Sequence, residues 1–255
     1  MTVIRLLAAA SAAVFAAALA FAAPARAEMK TQWVEYTHGD ARLKGYMAWD
    51  DSQSGKRPAV FVLHGKWGVN EGTRRQVEMW SKLGYVVFAA DMFGVLPKDD
   101  PATRVQTDIH RKDRALMRAR AQAGYDVFVK NPLVDTAKIA QIGYCFGGTV
   151  AIEFATTGAP LLGSVAIHGS YGVEPGWAKK IKGMFVILHG AEDPNYPREI
   201  DKALADLREA KVPFEITLYS GTAHGFSEPK NKAEERANAQ AIASASRTLK
   251  ELFGG

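Results

Sequence analysis

The chain has 255 residues, 47% of them hydrophobic and 23% charged, and its 32 Lys and Arg stand against 27 Asp and Glu for a formal net charge of +5. That length suits one α/β domain with a sizeable core, and the single cysteine excludes an internal disulfide. Basic and acidic residues alternate throughout and no basic block is interleaved with aromatics, which sets nucleic-acid binding aside.

At the N-terminus, Arg5 precedes an Ala/Leu/Phe run from Leu6 to Phe21, and Pro24-Ala25-Arg26-Ala27 follows. A basic start, an apolar stretch and a small-x-small end are the marks of a secretory signal peptide, here residues 1–27. Cleavage removes Arg5 and Arg26 and leaves residues 28–255 with a net charge of +3. The alanine-rich run is marginal for a spanning helix, so the expectation is export to a periplasm or the cell exterior, without stable membrane insertion. The mature part, 28–255, is expected to be one domain.

Trp33 to Tyr36 and Leu43 to Trp49 alternate around Gly39-Asp40 and predict an antiparallel hairpin. From Pro58 onward strands alternate with helical stretches, the signature of parallel β-α-β units. Ala59 to His64 and Tyr85 to Ala90 read as buried strands flanking a helix over Thr73 to Leu83. Asp91 to Thr103, rich in Pro and Gly, reads as a long surface loop, and Lys112 to Lys130 as one helix ended by Asn131-Pro132. Lys138 to Gly143, Leu161 to His168, Met184 to His189 and Phe214 to Tyr219 are further strands; Gly148 to Ala155, Arg198 to Ala210 and Ala233 to Phe253 are helices.

The segment Ile142-Gly143-Tyr144-Cys145-Phe146-Gly147-Gly148 has the form of a nucleophile elbow with cysteine in the serine position. Gly143 and Gly147 supply the small residues that a sharp strand-to-helix turn needs. The start of the following helix favours a thiolate and a developing oxyanion. A cysteine nucleophile needs a base and a group that orients the base. Asp193 follows the strand ending at His189, and His224 follows the strand ending at Tyr219, both on the side where open parallel sheets place their sites. The order Cys145, Asp193, His224 is that of nucleophile, acid and histidine in α/β-hydrolases; Glu192 competes for the acid's role. Backbone N–H groups of Phe146 and Lys66 are the candidate oxyanion donors, and Trp67 is a candidate pocket wall. His64, His168 and His189 each end a strand before glycine and read as structural residues that hydrogen-bond loop backbone. No HxxxH or HExxH pair exists among the six histidines, so no metal is expected.

With HGKWGVN at His64 to Asn70, AADMFG at Ala89 to Gly94, the IGYCFGG elbow, HGAEDP at His189 to Pro194 and TAHGF at Thr222 to Phe226, the chain resembles the dienelactone hydrolase family, the carboxymethylenebutenolidase-like branch of the α/β-hydrolases. The resemblance runs from about Trp33 to the C-terminus. It implies an α/β-hydrolase fold: a mostly parallel central sheet, helices on both faces and an N-terminal antiparallel hairpin. It also implies hydrolysis of an enol-lactone or related ester through a thioacyl-enzyme, with no cofactor. Cys145 is then the nucleophile, His224 the base and acid, and Asp193 the orienter. Better-known members carry a glutamate where this chain has Gly65, and a carboxylate-binding arginine where it has Ser227-Glu228. Arg118 and Arg120, on the helix before the elbow, are the candidates to compensate.

The expected protein is an exported cysteine hydrolase of a small-molecule carboxylic ester or lactone, a monomer or small homo-oligomer. A second reading, from another class, is a catalytically weak ligand-binding or thiol redox-sensing protein on the same fold, with Cys145 as an oxidisable thiol.

Overall fold

The computed structural model describes residues 28–172, 174–194 and 197–254; the expected signal peptide, 1–27, lies outside them. Two strands open the chain, β1 (Met29–His38) and β2 (Ala41–Asp50), paired antiparallel around Gly39-Asp40. Then come β3 (Arg57–Leu63), α1 (Glu71–Ser81), β4 (Val86–Ala90), α2 (Asp100–Lys112), α3 (Arg114–Phe128), β5 (Val134–Tyr144) and α4 (Phe146–Ala155). After these follow β6 (Gly163–Ile167), a short 3₁₀ turn (Trp177–Lys180), β7 (Met184–Gly190), α5 (Arg198–Glu209), β8 (Phe214–Tyr219) and α6 (Lys232–Phe253).

The eight strands form one sheet in the order β1-β2-β4-β3-β5-β6-β7-β8, parallel from β4 to β8 and antiparallel where β2 meets β1 and β4. This is the α/β-hydrolase architecture the elements predict. Because strand side chains alternate between faces, β3 sends Val60 and Val62 into one core and Ala59, Phe61 and Leu63 into the other. The first core lies under α1 and α6, whose Val77, Trp80, Ala241 and Leu249 meet it. The second lies under α3 and α4, through Met117, Tyr125, Val150 and Phe154. With helices on both faces, the parallel strand ends provide the open edge on which loops can build a site.

Two elements differ from the sequence reading. The loop after β4 ends at Asp99, not Thr103: the Asp99 carboxylate caps Ala102 N–H, and Pro101 sits in the first turn, where a missing N–H costs nothing. The single helix expected over Lys112 to Lys130 is in fact two, broken at Asp113, whose backbone leaves the helical region (φ −118°, ψ 88°). The Asp113 N–H closes α2 on Ile109 O while its carboxylate caps Leu116 N–H of α3.

Candidate active site

Cys145 stands between β5 and α4 with φ 55° and ψ −116°, a backbone conformation that L-residues rarely adopt. The surrounding glycines make it possible. A Cβ on Gly143 would lie 2.0 Å from Gly147 O, and one on Gly147 would lie 2.0 Å from Leu63 O, so the turn is folded tightly onto itself and onto β3. Its carbonyl accepts from Gly148 N–H at 2.9 Å, which starts α4, and its N–H donates to Ile167 O at 3.0 Å, which ties it to β6.

The two remaining loops come from neighbouring strands β7 and β8, and they approach so closely that a Cβ on Gly190 would meet Ala223 O at 2.5 Å. His224 Nε2 lies 3.2 Å from Cys145 Sγ, and its Nδ1 lies 3.1 Å from Asp193 Oδ2. Asp193 is buried, whereas the histidine opens to the cleft. Glu192 accepts instead from the N–H groups of Gly221 and Thr222, and so pins the loop that carries the histidine.

The electrostatics of the pair are mutual. Burial pushes the Cys145 thiol up, but the hydrogen bond and charge of His224, the Phe146 N–H and the charge of Arg111 outweigh it, and the thiol ends below its ordinary value. His224 is raised, first by its hydrogen bond to Cys145, against burial and with help from Asp193. Both directions favour a thiolate beside an imidazolium.

The sequence profile of the Dienelactone hydrolase family matches residues 43–255. The chain belongs to the dienelactone hydrolase family. The solved structure of a metagenomic dienelactone hydrolase-like promiscuous phosphotriesterase shares 31% identity and a TM-score of 0.83 over 88% of this chain and 99% of its own. The structure titled m3DLH shares 34% identity and a TM-score of 0.83 over the same shares. A protein of Aquifex aeolicus named provisionally as a carboxymethylenebutenolidase is 26% identical over 209 residues, 79% of this chain and 89% of its own. This dienelactone hydrolase family member is accordingly a hydrolase acting on ester or lactone bonds.

Two adjoining cavities, of about 410 and 430 Å³, flank the Cys145–His224 pair, and His224 and Arg111 line both. The larger also takes Lys66, Trp67 and Glu228 into its wall. Lys66 Nζ lies 2.6 Å from Asp100 Oδ1 and 4.8 Å from the centre of the Trp67 ring. Gly65 lines the larger cavity too: a Cβ there would lie 3.8 Å from Cys145 Cβ, in ordinary contact.

The arginine assignment is corrected. Arg118 is held by Glu153 at 2.6 Å, and Arg120 donates to His38 Nδ1 and Met92 O, both at 3.2 Å; neither lines the cavities. Arg111 and Arg114 line the smaller cavity, and Arg104 and Arg111 the larger. Sequence reasoning missed Arg104 and Arg111 because both fall on the unrecognised α2, and Arg114 because nothing in its spacing separates it from Arg118 on the same helix.

The three strand-end histidines also separate. His64 is structural as expected, its Nδ1 2.7 Å from Gly65 O and its Nε2 accepting from Met92 N–H. His189 faces the Asp193 carboxylate at 3.4 Å rather than loop backbone. His168 bonds the Ser227 hydroxyl at 2.6 Å and packs edge-on against His224; burial, then the charges of His224 and His189, push it down to about 3, so it stays neutral.

Proposed function

We propose that Cys145 is the nucleophile of an exported hydrolase that cleaves a small carboxylic ester or lactone through a thioacyl-enzyme. The observation that carries this reading is the continuous relay from Cys145 Sγ through His224 to Asp193, with contacts of 3.2 and 3.1 Å. The thiolate attacks the carbonyl carbon, and the developing oxyanion falls between the Phe146 and Lys66 N–H groups. His224 gives its proton to the leaving alkoxide, then takes one from the water that releases the acid, while Asp193 holds the ring with Nε2 toward sulfur. With Gly65 beside the thiol, the imidazolium serves as its partner without a carboxylate. Arg111, at the junction of the two cavities, receives a carboxylate or other polar substituent of the substrate. Export rests on the sequence of residues 1–27.

The test is steady-state and stopped-flow hydrolysis of a chromogenic acetate ester, a neutral enol-lactone, a dienelactone carboxylate and a phosphotriester. Cys145→Ala should lose at least about 10²-fold in turnover, and wild type should trap an acyl adduct on Cys145 visible by mass spectrometry. Wild-type rates in the alanine variant would overturn the reading. A wild type that binds lactone and forms sulfenic acid under mild peroxide, yet turns over nothing, would favour the thiol-sensor alternative.

A further inference from the structure

The hollow that holds the nucleophile contains one more donor than ester hydrolysis needs. Cys145 Sγ, a ring nitrogen of His224 and a ring nitrogen of His168 all lie within 4.8 Å of one another. A tetrahedral ion with a thiolate at about 2.3 Å and imidazoles at about 2.0 Å requires donor atoms roughly 3.3–3.6 Å apart. The Cys145–His224 pair, at 3.2 Å, is within a few tenths of an ångström of that spacing, and His168 needs to come closer by at most about 1.5 Å. His168 is 1% exposed, its Nδ1 makes no well-aligned hydrogen bond among the described residues, and its Nε2 meets the hydroxyl of Ser227 at 2.6 Å. A buried imidazole nitrogen without a well-aligned partner is available as a ligand, and the cavity of about 430 Å³ that these three side chains line gives an ion entry and leaves room for water as a fourth ligand.

We propose that Cys145, His168 and His224 form a reversible soft-metal site that takes one Zn²⁺ ion and silences the thiol. One thiolate and two imidazoles select zinc or cadmium over magnesium and calcium, which prefer oxygen. Binding replaces the proton that Cys145 and His224 share: the sulfur–zinc and nitrogen–zinc bonds form, that proton leaves to water, and no electron is transferred. The sulfur lone pair and His224 Nε2 are then both occupied, so attack and proton transfer stop together until a chelator removes the ion. The site is recorded by no spacing in the sequence, since its three ligands come from loops after β5, β6 and β8.

Metal binding is read without turnover, so its failure and the failure of the hydrolase reading are distinguishable. Reduced protein titrated with Co²⁺ should show, at one equivalent, a thiolate-to-cobalt charge-transfer band and the intense visible bands of a tetrahedral site, both abolished by Zn²⁺. In competition against a chromophoric chelator, His168→Gln and Cys145→Ser should each weaken Zn²⁺ binding at least about tenfold. Mg²⁺ and Ca²⁺ should not compete. A pale octahedral spectrum without charge transfer in the wild type would overturn the proposal whatever the variants do. So would unchanged Zn²⁺ affinity in a His168→Gln protein with wild-type circular dichroism.

Discussion

Position 65 and the arginines are where single residues decide chemistry. A side chain at 65 starts 3.8 Å from Cys145 Cβ, on the wall of the cavity that Cys145 also lines. Gly65→Glu therefore places a carboxylate against the thiolate, and repulsion at close range should slow alkylation of Cys145 by iodoacetamide several-fold at neutral pH; an unchanged rate would show that the side chain turns away. Arg111 and Arg118 give opposite expectations from similar surface charges. Arg111→Ala should raise KM for an anionic ester about tenfold and leave KM for a neutral one unchanged, because a charge-assisted contact of about 1.5 kcal/mol is lost. Arg118→Ala removes one of two partners of Glu153, with Arg114 remaining at 3.2 Å. It should cost at most about 1 kcal/mol in stability, measured by denaturant unfolding, and leave both KM values alone.

At the scale of elements, the elbow is set by backbone approach rather than by side-chain contacts. Gly143→Ala drives a Cβ to within 2.0 Å of the Gly147 carbonyl, where no flexible side chain can yield. The expected cost is about 3 kcal/mol, the upper part of the overpacking range, or a fall in Tm of roughly 6–12 °C for a chain of this size. A calorimetric Tm within a degree or two of wild type would contradict the close-packed turn. The elbow was legible because its glycines stand at fixed offsets from Cys145. The start of α2 was not: Asp99-Asp100-Pro101 carries the residues of a turn and of a helix start alike, and which they form depends on whether Thr103, Thr107 and His110 find an interior to face.

For the whole molecule, export predicts that protein recovered from the exported fraction begins at Glu28, which N-terminal sequencing checks; an intact Met1 on that material would refute cleavage after Ala27. The sequence by itself determined the succession of strands, the hairpin, the elbow and the places of Asp193 and His224 in the loops after two of those strands. These depend on local periodicity, on glycine offsets and on the rule that sites gather at the carboxyl ends of parallel strands. Tertiary structure decided what depends on distances between segments far apart in the chain. It turned Asp193 rather than Glu192 toward the imidazole, exchanged Arg118 and Arg120 for Arg104, Arg111 and Arg114 at the cleft, and brought His168 beside Cys145 and His224. A side chain's role there is set by the direction in which its loop leaves the sheet and by the neighbours it meets, and neither is written in the spacing of residues along the chain.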